Sequence, residues 1–249
     1  MVYRFPFGQK LTPVPHTHAG RTNIFVLGAY SSALHARWKF GPRGSDRVQA
    51  LAIANEPEPF WDGMGEMDLI TNHTPPFGSL LSTPQNGASG TALREKYLIP
   101  LDLDAANCWL TDVVNTYFST PQQRDAFERA YASKGLAAPN WTLPLRPQRI
   151  APDAERKEQL ISELRVASPS WLIALGDVPL SALGLGKLSR YRYGQPVAVR
   201  IFGIETNLVP FTHPRNAGRL GRHSPEWASI HDRWLDEIAP TLSGKLADA

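Results

Sequence analysis

Residues 170–183, SWLIALGDVPLSAL, carry the pattern that decides the fold. An apolar run ends at Gly176, and an acidic residue and a proline then open a helical pattern, which is typical of a buried strand followed by a helix. Three further apolar runs precede polar turns: TNIFVLG at 22–28, VQALAIA at 48–54 and CWLTDVV at 108–114. The alternation predicts an α/β fold with a central, mostly parallel sheet of about four core strands flanked by helices.

The other segments complete a single domain over 22–240, after an irregular, proline-interrupted segment over 1–21. Helices that begin near a proline are expected at three places: 120–134, 152–166 and 225–238. A short helix is expected at 31–40, and a long loop with one helical turn at 63–92. The runs at 197–202 and 206–211 predict a small antiparallel addition to the sheet.

Composition narrows the class of protein. The chain has 249 residues, a net charge of +3 and a single cysteine, Cys108, which excludes an intramolecular disulfide framework and any four-cysteine metal or cluster site. No apolar run reaches the roughly 18 residues that a membrane span needs, and no secretory signal is apparent. We therefore expect a cytoplasmic monomer without a membrane partner. Arginine outnumbers lysine by 19 to 7, which favours an anionic partner such as DNA.

The turns after the strands are the expected site, because ligands of open α/β sheets bind beyond the carboxyl ends of the strands. Neither a dinucleotide fingerprint, nor a P-loop, nor a G-x-S-x-G elbow is present, and we expect no cofactor and no metal. The turn THPRNAG at 212–218 places His213 at a strand end. Three arginines follow it: Arg215, Arg219 and Arg222. Arginines in these positions suit the binding of backbone phosphates, although a solvated basic loop would give the same pattern.

Taken together, the turns GAYSSA, LTDVVNTYF, ALGDVPLSAL and THPRNAG resemble, in order and spacing, the motifs of the uracil-DNA glycosylase superfamily. The resemblance covers residues 22–235. It implies a monofunctional enzyme that extrudes a base from DNA, hydrolyses its N-glycosidic bond and leaves an abasic site. His213 would stabilise the charge that develops on the departing base. Gly176 would approach a phosphate, and Asn216 to Leu220 would form the wedge that fills the gap in the DNA.

One departure from the family pattern concerns catalysis. Tyr30 stands where many members hold the water-activating Asp or Asn, and a tyrosine is a poor general base at neutral pH. The carboxylates of NEPEPFWDG, at 55–63, are the nearest replacements in the expected topology, and the sequence leaves the choice open between Glu56, Glu58 and Asp62. Solvated acidic side chains would give the same pattern. A non-catalytic DNA-binding module therefore stays an alternative, as does a hydrolase of free nucleosides or nucleotides.

Two further departures concern the base. Asp112 stands where the family holds the asparagine that reads uracil, and a carboxylate suits the exocyclic amine of cytosine better. Asp112 could instead cap the following turn. Ser32 replaces a bulky residue beside base C5 and leaves room for a substituent. The expected substrate is a 5-modified cytosine, of a kind that occurs in viral DNA, which implies antiviral defence; uracil repair is the alternative. Further base contacts are expected from Tyr30, Ser31 and Phe60.

Overall fold

The computed structural model describes residues 2–39, 51–73, 79–81, 83–130, 132, 138, 140–217 and 224–247. Its strands, numbered along the chain, are β1 Ile24–Tyr30, β2 Ala33–Lys39, β3 Leu51–Asn55, β4 Ser79–Leu81, β5 Cys108–Val114, β6 Trp171–Leu175, β7 Val197–Ile201 and β8 Ile204–Phe211. Its α-helices are α1 Glu66–His73, α2 Ala88–Leu93, α3 Pro121–Ala130, α4 Ala154–Ala167, α5 Asp177–Ala182, α6 Pro214–Ala217, α7 Ser224–Glu237 and α8 Ala239–Ala247. None of these described helices combines the length and apolar character that a bilayer crossing requires.

The chain forms one α/β domain around a five-stranded, mostly parallel sheet, as the sequence predicts. The strand order is β5-β1-β6-β8-β7, in which the first four strands are parallel and β7 pairs antiparallel with β8. The fourth parallel strand is β8, because the predicted strand at 48–54 belongs to a different sheet. Its described part, β3, pairs antiparallel with β2 in a second sheet of order β3-β2-β4.

The helix expected at 31–40 is wrong, since the described part of this segment is the strand β2. Alternate side chains of ALHARWK face different neighbours: Leu34 and Ala36 join one apolar cluster, whereas Ala33 joins another. That period of two fits a strand paired on both edges. The loop expected over 63–92 is also wrong in part, because it contains α1, β4 and α2.

The expected helices at 152–166 and 225–238 are confirmed within two residues as α4 and α7. The helix expected at 120–134 is described as α3, Pro121–Ala130, and most of its remaining residues lie outside the described part of the chain. Asp153 begins α4, because its side chain accepts the backbone N–H of Arg156 at 2.8 Å.

The two faces of the central sheet bury different clusters. One face packs Val26, Leu110 and Val209 against α2, α8 and the residues around Tyr97. The other face packs Phe25, Trp109 and Leu208 against α4 and α5. Packing continues past residue 240, because Leu242 and Leu246 of α8 are buried in the first cluster.

The first 23 residues contain no helix or extended strand among those described, but they pack on the domain. Thr17 pairs with the outer edge of β5: its N–H donates to the Leu110 carbonyl at 3.2 Å, and its hydroxyl accepts from the Leu110 N–H at 3.1 Å. His16 stacks on Trp109 with a centroid distance of 4.2 Å. The irregular segment therefore covers an edge strand that would otherwise expose unpaired backbone groups.

A buried arginine ties α4 to β5. Arg156 is 5% exposed, and its Nη2 donates to the Thr111 hydroxyl at 2.9 Å and to the Asp112 backbone carbonyl at 2.7 Å. Its Nη1 forms an ion pair with Glu163, two turns further along α4. The side chain of Asp112 lies on the opposite face of the sheet, so Arg156 holds the main chain of Asp112 and leaves its carboxyl free for other contacts.

We predict that Arg156→Met destabilises the fold by about 3–5 kcal/mol, because Glu163 loses the cation that compensates its burial. The double variant Arg156→Met/Glu163→Leu should recover much of this loss, since no unpaired charge remains. Chemical denaturation of the two variants and of Glu163→Leu would measure the effect. Equal losses in the single Arg156 variant and the double variant would mean that the contacts with β5, and not the ion pair, carry the stability.

Candidate functional site

A cleft of about 1150 Å³ lies beyond the carboxyl ends of the parallel strands. The turns after β1, β5, β6 and β8 all contribute to it, as the open α/β arrangement predicts. The lining residues include predicted site residues from three of these turns: Tyr30, Ser32, Gly176, His213, Arg215 and Asn216. Four other predicted residues are buried and do not line the cleft: Asp112, Glu56, Ser31 and Phe60.

Gly28 makes room for two of these deeper side chains. It pairs in register with Asp112 of the neighbouring strand β5. A Cβ at Gly28 would overlap Oδ1 of Asp112 and would lie 2.5 Å from Cζ of Phe60. The carboxyl of Asp112 and the ring of Phe60 therefore both lie over β1, in space that any other residue at position 28 would fill.

Two adjacent serines each bind one buried carboxyl. The Ser31 hydroxyl donates to Oδ2 of Asp112 at 3.3 Å. The Ser32 hydroxyl and the backbone N–H of Gly87 donate to Glu56, which follows β3. Asp112 and Glu56 are only 5% and 7% exposed. The turn after β1 thus joins a carboxyl from the central sheet to a carboxyl from the second sheet.

Both carboxyls are held in a state that favours protonation. Burial raises the pKa of Glu56 to about 8, and the nearby Asp112 adds to the rise. Burial also raises the pKa of Asp112 to about 7, while the Ser31 hydrogen bond and the charge of Arg156 oppose the rise. Because the charge of Asp112 adds to the rise at Glu56, ionisation of Asp112 disfavours ionisation of Glu56, which has the higher pKa and holds a proton at pH 7.

The other candidate carboxylates are placed differently. Asp62 forms an ion pair with Arg94 and accepts the Met64 N–H at 3.0 Å, so its charge is already compensated. Glu58 is only partly buried. Of the three carboxylates that the sequence left open, Glu56 is the one that the structure brings beside Asp112.

His213 lies on the far side of the cleft from this pair. Three strand spacings separate β5 from β8, which corresponds to ~14 Å between their main chains. Burial and the charges of Arg215 and Arg146 lower the pKa of His213 to about 4, so its imidazole is neutral at pH 7. The Arg215 N–H donates to Nδ1 of His213 at 3.3 Å, which leaves the ring proton on Nε2 as a donor.

A buried chain of side chains supports the His213 turn. The Tyr97 hydroxyl donates to the Thr212 carbonyl at 3.0 Å, and the Tyr193 hydroxyl donates to that of Tyr97 at 3.1 Å. Nδ1 of His231, from α7, lies 2.9 Å from the Tyr193 hydroxyl. The turn is therefore held from the core side, which restricts the position of the imidazole. The sequence gives no signal for this chain, because its members come from three distant segments.

The remaining predicted residues divide between described and undescribed parts of the chain. Gly176 has a φ of +103° and begins α5 beside the His213 backbone. Arg215 is exposed, and the Asn216 amide donates to the Thr212 hydroxyl at 3.0 Å. The other residues predicted for the wedge and phosphate grip lie outside the described residues: Arg219, Leu220 and Arg222.

Two residues of the cleft were missed by the sequence reasoning. His35 lines the cleft from β2, is 5% exposed, and neither of its ring nitrogens has a hydrogen-bond partner among the described residues. Arg146 lies over the ring of Tyr30, 5.1 Å from its centroid. His35 was missed because the segment 31–40 was predicted to be a helix. Arg146 was missed because it stands in a proline-rich connection that contains no motif.

Within the described part of the chain, no group of three or more His, Cys, Asp or Glu residues is arranged to hold a metal ion. Searches against models of known protein families and against curated proteins find no match to the chain.

We predict that the stability of the fold decreases as pH rises between about 7 and 8.5, because the folded state holds protons that the unfolded carboxyls have already lost. The pKa values of Glu56 and Asp112 are raised in the folded state. The free energy of unfolding therefore falls as pH rises through this range. The buried histidines give the opposite slope only below about pH 6.5, where unfolded histidines gain protons. Denaturant unfolding across the range should give at most about 1.4 kcal/mol per pH unit for each proton released.

Glu56→Gln should flatten this slope while keeping the hydrogen bonds from Ser32 and Gly87. Glu58→Gln, two residues away in the same loop, is the matched control and should keep the slope of the parent protein. An unchanged slope in Glu56→Gln would mean that Glu56 does not hold the proton.

Proposed function

We propose that the protein is a monofunctional DNA glycosylase that hydrolyses the N-glycosidic bond of a base extruded into the cleft, most favourably a 5-modified cytosine. The observation that carries this proposal is the opposition of two unlike groups across the cleft. Two buried carboxyls that favour protonation lie behind the cleft on one side, and a neutral histidine with an N–H to donate lines it on the other. Those are the groups needed to read a base, activate water and stabilise a departing base.

Asp112 would read the base edge. When it carries a proton, its O–H can donate to N3 of cytosine, and its carbonyl oxygen can accept from the exocyclic amine. The Ser31 hydrogen bond and the Gly28 gap support this role, because both fix the carboxyl in one position. Glu56 has the higher pKa and holds a proton in the free protein, so it must release that proton before it can accept another from water.

Glu56 and His213 would carry the hydrolysis. Glu56 accepts a proton from water as the water oxygen bonds to C1′ of the deoxyribose. The bond from C1′ to the base nitrogen breaks, and its electron pair leaves with the base. Nε2–H of His213 donates a hydrogen bond to base O2, where negative charge accumulates. A neutral imidazole suits this task, since it donates without first having to bind a proton. No step needs a cofactor.

The 5-substituent is supported by the small side chains near the base. Ser32 and Ala29 line the cleft at the end of β1, and neither is bulky enough to exclude a group at C5. An enzyme that removed ordinary cytosine would destroy the DNA of its own cell, so the substituent must be required. Modified cytosines of this kind occur in viral DNA, and the proposed role is therefore antiviral defence in the cytoplasm.

Uracil is the second candidate, and one observation favours it. The raised pKa of Asp112 means that its carboxyl can be protonated at neutral pH. A protonated carboxyl can also donate to O4 of uracil and accept from its N3–H. Repair of uracil in DNA therefore fits the same geometry.

A panel of oligonucleotides would test the function. Each carries uracil, cytosine or one of several 5-modified cytosines, and cleavage of the product at abasic sites is measured. We expect excision of at least one modified cytosine and reduction of the rate by about 10²–10⁴-fold in Glu56→Gln, because general base catalysis is lost. Binding of DNA without an abasic product would identify a non-catalytic module. Hydrolysis of free nucleosides alone would identify a different hydrolase.

We predict that Asp112→Asn shifts base preference from modified cytosine toward uracil by roughly 10- to 100-fold, since each paired edge contact contributes about 1–3 kcal/mol of discrimination. The amide oxygen would accept from Ser31 and from uracil N3–H, and the amide nitrogen would then face the cytosine amine. The ratio of the two excision rates measures the shift. Asp62→Asn is the matched control, because Asp62 pairs with Arg94, and it should keep the parent preference. An unchanged preference in Asp112→Asn would assign Asp112 to capping the turn.

A further inference from the structure

Arg146 is placed on an aromatic platform at the edge of the cleft. Its guanidinium carbon lies 5.1 Å from the centroid of the Tyr30 ring, and the Tyr30 ring lies 5.8 Å from that of Phe118. All three residues line the cleft, and Arg146 is exposed. A guanidinium within cation–π distance of a ring can still direct its N–H groups outward, and their planar fork matches two phosphate oxygens.

The main chain that carries Arg146 is fixed. The Arg146 N–H donates to the Ser119 carbonyl at 2.9 Å, and the Ser119 N–H donates to the Pro144 carbonyl at 2.9 Å. The Ser119 hydroxyl also donates to the Pro144 carbonyl at 3.1 Å. Residues 144–146 are thereby attached to the turn after β5. A cation held in this way is ordered before a ligand arrives, which reduces the entropy cost of binding.

The charge of Arg146 is not compensated within the described residues. No carboxylate among the described residues lies within ion-pair distance of Arg146 or Arg215, whereas Arg94 and Arg156 each form an ion pair. Both arginines lie close enough to His213 to lower the pKa of its imidazole. They come from segments that meet only in the folded chain, one after β5 and one on α6. Within the part of the chain that the structure describes, Arg146 and Arg215 are therefore uncompensated cations beside the same histidine.

We propose that Arg146 and Arg215 bind two backbone phosphates of one nucleic-acid strand, on either side of the nucleotide whose base enters the cleft. This inference rests on the proposed function, in that it takes DNA as the ligand. It adds Arg146 as a phosphate-binding residue and Tyr30 as the ring that positions it. Tyr30 thus has a role that does not require it to activate water. The strand would cross the cleft over His213, between the turn after β5 and α6.

The test measures binding, so that it does not depend on excision. The probe is a fluorescent oligonucleotide with a tetrahydrofuran abasic analogue, which the enzyme cannot process, and its affinity is followed by anisotropy at increasing KCl. Arg146→Ala should reduce the slope of log K against log salt by about 0.7–0.9, the value for one phosphate contact. Arg215→Ala should give a similar reduction, and the double variant should lose about twice as much.

Four further variants separate the effect of charge from the effect of position. Arg149→Ala is the matched control, because Arg149 is exposed on the same segment but is not among the residues that line the cleft, and it should keep the parent slope. Arg146→Lys should keep the slope, because the charge remains, but should bind more weakly, because lysine lacks the planar fork. Tyr30→Phe should bind like the parent, whereas Tyr30→Leu should bind more weakly with the slope retained.

The outcomes distinguish this inference from the proposed function. An unchanged slope in a folded Arg146→Ala variant, with excision intact, overturns the phosphate subsite and leaves the glycosylase. A reduced slope without excision on any substrate supports the subsite and overturns the glycosylase. The phosphate contact would also be contradicted if Arg146→Lys and Arg146→Ala weakened binding equally and neither changed the salt slope. Absence of DNA binding by the parent protein overturns both.

Discussion

The missing side chain at Gly28 is the constraint on which the site depends. Parallel pairing of β1 with β5 brings Gly28 and Asp112 side by side. The Asp112 carboxyl and the Phe60 ring fill the space over the glycine, so the carboxyl leans across β1 and away from the edge of the sheet. From that position it meets the serine turn after β1. A side chain at position 28 would push both groups out and separate the carboxyl from its partners.

Burial of two carboxyls side by side is costly, and the surrounding structure shows how the cost is met. Hydrogen bonds from Ser31 and Ser32 satisfy one acceptor on each carboxyl, and protonation removes part of the repulsion between them. Arg156 acts from the opposite face of the sheet, where it binds the backbone carbonyl of Asp112 and not the carboxyl. A cation directly on the carboxyl would have held it ionised. The arrangement instead keeps a proton available close to neutral pH.

The second sheet gives the cleft its other half. β2 and β3 carry His35 and the loop with Glu56 to the end of the central sheet, so catalytic and base-reading candidates come from both sheets. On the far side, the chain of Tyr97, Tyr193 and His231 supports the turn that presents His213. Burial favours the neutral form on both sides: it raises the pKa of Glu56 and lowers the pKa of His213, to which the charges of Arg215 and Arg146 add.

The sequence by itself determined the α/β class, three of the four parallel strands, two long helices and the positions of Asp112, Glu56 and His213 at strand ends. Apolar runs and capping residues act over a few neighbours, so they can be read locally. Only the tertiary structure decided that 51–55 pairs with β2 and not with the central sheet, that Glu56 and not Asp62 lies beside Asp112, and that Arg146 reaches Tyr30. Each of these depends on contacts between residues far apart in the chain, and a local pattern contains no information about which distant partner will be met.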